Sequence, residues 1–100
     1  MIRHVVMWKL KEVADDRGRM ENAALIKSRL ETLPALIPEI LRLEVGVDVL
    51  KDGASWDLCL IVDFQDIAAL RRYHAHPEHI SVAELVNRTR ELRAVVDFYL

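Results

Sequence analysis

The most constraining feature of this chain is the order in which its apolar period changes. Residues 2–10 alternate as a strand, with Ile2, His4, Val6, Trp8 and Leu10 on one face and Arg3, Val5, Met7 and Lys9 on the other. From about 16 to 33 the apolar residues Met20, Ala23, Ile26, Leu30 and Leu33 recur at three and four, the spacing of an amphipathic helix. Asp15-Asp16 is expected to cap that helix at its positive end, and Leu33-Pro34 to stop it. Residues 40–49 alternate again, with Leu41, Leu43, Val45, Val47 and Val49 on one side. Lys51-Asp52-Gly53 marks a turn into a third strand over 56–64, where Trp56, Leu58, Leu60, Val62 and Phe64 share a face. Helical spacing returns over 66–74 behind Asp66 and continues from Pro77 to about 91, because proline suits a first helical turn. Residues 93–100 close the chain as a strand, with Ala94, Val96, Phe98 and Leu100 opposite Val95, Asp97 and Tyr99.

The order β-α-β-β-α-β is that of a ferredoxin-like α+β fold. Right-handed crossovers place both helices on one face of a four-stranded antiparallel sheet, with strand order 4-1-3-2. A chain of 100 residues makes one domain, 1–100. Val5, Met7, Ala94, Val96, Phe98 and Ile61 then fall on the face without helices. An apolar face left in water invites association, so a two-fold homodimer, sheet against sheet, is expected.

Composition excludes several classes. Fourteen Lys+Arg against 16 Asp+Glu give a net charge of −2, without the basic excess of a nucleic-acid binder. The lone Cys59 forms no internal disulfide and reads as a buried thiol in a reducing, cytoplasmic setting. No apolar run reaches the roughly 20 residues of a membrane span. Three scattered glycines, Gly18, Gly46 and Gly53, make no phosphate loop, and no cofactor is expected. The arginines at 71, 72, 88, 90 and 93 read as solvated helix surface.

The chemistry concentrates in Tyr73-His74-Ala75-His76-Pro77-Glu78-His79. His74, His76 and His79 do not have zinc spacing, and residues two apart diverge on a helix, so no metal is expected. His76 is placed to cap the helix that Pro77 begins, and His74 to lie on the surface. Histidine titrates near neutrality and serves in proton transfer. His4 lies on the inward face of the first strand, and Asp97 near its mirror position on the last. If the Tyr73–His79 segment packs over those strands, Tyr73, His79, His4 and Asp97 meet beneath a helix. Such a cluster is either a pocket able to do acid–base chemistry or a satisfied network that only fixes packing.

The opening Met-Ile-Arg-His-Val-Val-Met-Trp-Lys-Leu-Lys resembles the start of Dabb domains, the stress-responsive dimeric α+β barrel proteins. So do Leu33-Pro34 and Pro38 followed by Leu43-Glu44-Val45-Gly46, the Tyr73-x-x-His76-Pro77-Glu78-His79 motif, and the closing Val95-Val96-Asp97-Phe98. The resemblance spans essentially the whole chain. It implies a ferredoxin-like subunit, a homodimer through the sheets, and a pocket between helices and sheet. Family members include a plant polyketide cyclase that forms olivetolic acid, in which a tyrosine and a histidine do the chemistry; by motif these match Tyr73 and His79. His4, Asp97, His76, Val6, Trp8, Leu60 and Val62 are expected to support the pocket. The ligand implied is a small organic molecule, aromatic or polyketide-like. The plant substrate itself does not carry over. The stretch Asn22-Ala23-Ala24-Leu25-Ile26 has no aromatic, and Arg90 stands where the cyclase carries tryptophan. Some members bind magnesium near the dimer interface, but no carboxylate set here demands it.

Overall fold

A computed structural model describes residues 1–100. The main sheet has four antiparallel strands: β1 (Ile2–Leu10), β4 (Arg42–Val47), β5 (Leu58–Phe64) and β6 (Arg90–Tyr99). Their order is β4-β5-β1-β6, so the first and last strands are neighbours, as the chain order requires. Helices α1 (Arg19–Leu30), α2 (Ile67–Ala75) and α3 (Pro77–Thr89) supply the cover on one face. On β1 the alternation is strict: Ile2, His4, Val6, Trp8 and Leu10 are buried, while the residues between them are half-buried. The core beneath the helices is mostly aliphatic, built from Val6, Ile26, Leu58, Leu85 and their neighbours, with Tyr73 and Phe64 the largest side chains that are fully buried in it.

The entry to the first helix differs from the expectation. Asp15 and Asp16 do not cap it. They form the tip of a small hairpin between β2 (Val13–Ala14) and β3 (Arg17–Gly18). Both have positive φ, 53° and 59°, as a type I′ turn requires, and aspartate enters that left-handed region more readily than most residues. The hairpin holds because buried Asn22 donates to the Ala14 carbonyl at 3.0 Å and accepts from Arg17 Nε at 2.8 Å. The helix therefore begins at Arg19, and Met20 is exposed rather than part of the buried stripe. Leu41 and Val49 likewise lie beyond the ends of β4 and are exposed.

The later elements follow the sequence closely. The Asp66 carboxylate accepts from the Ala69 amide at 2.8 Å and caps α2. His76 is extended, as a residue before proline prefers, and its Nδ1 accepts from the Glu78 amide at 3.1 Å to cap α3. Across the sheet, His4 pairs with Asp97, Val6 with Val95 and Trp8 with Arg93. These pairs lie on the side of the sheet that carries the helices, where the β1 members are buried and the β6 members, at the sheet edge, are exposed. On the other side Val5 pairs with Val96 and with Ile61, and Met7 with Ala94 and Cys59. No helix lies over that apolar strip, where Val96 is 55% and Phe98 42% exposed. No helix in the chain is long and apolar enough to cross a membrane.

Candidate functional site

Between the helices and the sheet lies a cavity of about 230 Å³. Its floor is β1, through His4, Val6 and Trp8, with Leu60 of β5 beside them. Its roof comes from the α2–α3 corner. Proline at 77 ends the run of α2 and starts α3 in a new direction, and this break brings Tyr73, His74 and His79 together. The Tyr73 and His79 ring centroids are 4.5 Å apart, His74 and His79 5.2 Å, and His4 and His74 5.2 Å. Val82 and Val86 of α3 complete an apolar wall.

Hydrogen bonding fixes where the protons sit. A carbonyl oxygen only accepts, so His79 Nδ1 must donate to the His74 carbonyl, 3.1 Å away. Burial pushes the His79 imidazole down to about 4, with neighbouring His74 adding to the effect. At neutral pH the ring is uncharged, and Nε2 carries its free lone pair. Burial also lowers His74, helped by the nearby charge of His4. His4, almost fully buried, donates from Nδ1 to Asp97 Oδ1 at 2.5 Å, which locks its ring orientation. Two buried donors in the cavity lining have no partner in the protein: the Tyr73 hydroxyl and the Trp8 indole N–H. Burial raises the Tyr73 hydroxyl above its ordinary value, so it stays protonated and donates. A buried donor without a partner costs about 1–3 kcal/mol, so each has an energetic stake in an incoming acceptor.

Six of the nine residues expected at a pocket line this cavity: His79, Tyr73, His4, Val6, Trp8 and Leu60. Asp97 acts on it through His4. Two do not line it. Val62 is buried at the β1–β5 pairing, opposite His4, and His76 is occupied as the α3 cap. His74 is exposed, as expected, and it also lines the cavity beside His79. Arg93, expected both to open the last strand and to sit among solvated arginines, is exposed. It belongs to β6, pairs with Trp8, and stands at the cavity. Its cross-strand partner is the signal that places it: an odd-numbered residue of the last strand shares the face of Trp8. No group of three or more histidine, cysteine, aspartate or glutamate side chains is arranged to hold a metal ion.

Comparison with known proteins agrees with this architecture. The family model described as the stress responsive A/B barrel domain, Dabb, matches residues 2–100. A dimeric ferredoxin-like protein of unknown function from Bacteroides fragilis is 31% identical, with a TM-score of 0.82 over 99% of this chain and 95% of its own. A dimeric ferredoxin-like protein from Thermobifida fusca is 23% identical, with a TM-score of 0.84 over 99% of this chain and 90% of its own. The hydroxynitrile lyase from Passiflora edulis shares the fold at 18% identity and a TM-score of 0.78, over 97% of this chain and 90% of its own. No curated protein matches the chain.

Proposed function

The chain belongs to the stress responsive A/B barrel family, and for this member we propose a homodimer whose subunits each bind a small organic molecule and move a proton on it. The observation that carries this reading is the pairing of a buried, unpartnered Tyr73 hydroxyl with a neutral His79 whose Nε2 is free, in one apolar cavity. Tyr73 donates to a carbonyl oxygen of the ligand, where negative charge collects as a proton leaves the adjacent carbon. His79 Nε2 takes that proton and returns it to carbon or to the oxygen, closing an isomerisation or an aldol-type step without any co-reactant. An imidazole at about 4 is a weak base, so the chemistry suits a proton already acidified by the carbonyl that Tyr73 holds. His4 and Asp97 support the ring cluster from the floor. Size limits the ligand. A cavity of about 150 Å³ holds benzene, so 230 Å³ suits a single ring with a short substituent.

The dimer reading rests on the apolar strip of Val5, Met7, Val96 and Phe98, and on the dimeric state of the Bacteroides and Thermobifida proteins. Each large side chain covered there contributes about 1.5–3 kcal/mol. The single cysteine, half-buried on that same face, fits a reducing cytoplasm.

A thermal-shift screen of small aromatic carbonyl compounds and phenols tests the site. Binding that is lost in Tyr73→Phe and His79→Asn, at unchanged melting temperature without ligand, supports it. A large drop in stability in both variants, with no ligand found for the parent, identifies a packing network instead.

A further inference from the structure

The cavity has a second polar end. Trp8 and Arg93 face each other in register across β1 and β6, so their Cβ atoms lie about 5 Å apart on the helix-covered face. The Trp8 indole N–H is buried without a partner, and it can only donate. The Arg93 guanidinium forms none of the chain's ion pairs or side-chain hydrogen bonds. Asp97, the carboxylate further along the same face, is four residues away, about 13 Å of strand, and is bonded to His4. No acidic side chain lines the cavity. On β1, Val6 stands between Trp8 at this end and His4 at the Tyr73–His79 end, and apart from Asn87 of α3 the rest of the lining is apolar.

We propose that the cavity selects a small organic monocarboxylate, its carboxylate held by the Arg93 guanidinium and the Trp8 N–H and its apolar body lying over Val6 toward Tyr73 and His79. This rests on the pocket reading above and adds the chemical class of the ligand. A planar carboxylate offers two acceptors to a forked guanidinium and still has a lone pair for an indole N–H, which neither an amide nor an alcohol matches. The positive charge of Arg93 also reaches His74 and His79, holding both toward the neutral form until an anion arrives.

Titration calorimetry with 3-phenylpropionate, its primary amide, acetate and 4-ethylphenol tests the assignment on the intact protein. The acid is expected to bind about tenfold tighter than the amide, the size of one charge-assisted hydrogen bond. Acetate, which has the charge without the body, binds more weakly than 3-phenylpropionate. Arg93→Gln removes the preference for acid over amide, and Trp8→Phe weakens acid binding while keeping the ring. Equal affinity for acid and amide, a preference that survives Arg93→Gln, or acetate binding as tightly as the longer acid overturns the proposal. Binding of 4-ethylphenol without binding of the acid overturns it too, yet leaves the pocket standing. Failure of both ligands removes the pocket and the anion reading together.

Discussion

The two faces of the sheet are made by the same strands and the same alternation, yet they are finished differently. On the covered face Phe64 is completely buried under the chain's own helices. On the bare face Phe98 remains 42% exposed, beside half-covered Val5 and Met7. The covered face also carries polar groups that an aliphatic core does not need: His4, Tyr73 and the indole N–H of Trp8. The bare face carries apolar groups that water does not favour. Each face thus holds what a purely structural layer would avoid. On the proposed function, the first serves a ligand inside the subunit and the second a partner copy outside it.

The two phenylalanines separate these roles with the largest effect. Phe64→Ala should cost about 3–5 kcal/mol, read as a fall in the denaturation midpoint at any protein concentration. Phe98→Ala should instead make the melting temperature depend more steeply on concentration, because it acts through association. Equal, concentration-independent losses would erase the distinction between the faces. Val96→Asp places a charge opposite Val5 in the middle of the bare strip and should convert a sedimenting dimer to a monomer. A dimer that persists would move the interface elsewhere.

Smaller effects sharpen the reading of the covered face. The stability contributed by neutral His79 depends on pH with a definite sign. Its folded value of about 4 lies below the unfolded value near 6.5, so within that window the unfolded chain binds the extra proton. Stability should therefore fall as pH drops from about 6.5 to 4, by about 1–2 kcal/mol once solvent screening is allowed for. Urea midpoints at pH 7, 5.5 and 4.5 measure the slope, and His79→Asn should flatten it. A slope unchanged in the variant would assign the effect to other groups. Tyr73→Phe is the smallest in stability, neutral or stabilising by up to about 1 kcal/mol, since its hydroxyl has no partner to lose. A loss above about 1 kcal/mol would show that the hydroxyl does bond within the folded chain.

Much of the site was readable from spacing. Alternation placed His4 and Asp97 on one face, and the order of elements made their strands neighbours, so their bond follows from the pattern. The pre-proline position of His76 announced a cap, and it is one. That His74 and Arg93 also line the cavity was not legible, for different reasons. His74 stays exposed, as expected, and its place beside the cavity depends on the angle between α2 and α3, which no local pattern encodes. Arg93 was grouped with the solvated arginines although it opens the expected last strand, and only the register with Trp8 places it at the cavity. The Asp15-Asp16 hairpin was missed because two aspartates before an amphipathic run also fit a cap; buried Asn22 decides between them, and its partners are visible only when the chain is folded.

The amino-acid order alone determined the layer architecture, the strand sequence across the sheet and the apolar strip that calls for a partner. These depend on period and chain connectivity, which are local or nearly so. The tertiary structure decided which of the converging polar groups are bonded to one another and which are left free. Free valence at a buried atom depends on all its neighbours at once, and those neighbours come from β1, β6, α2 and α3 together.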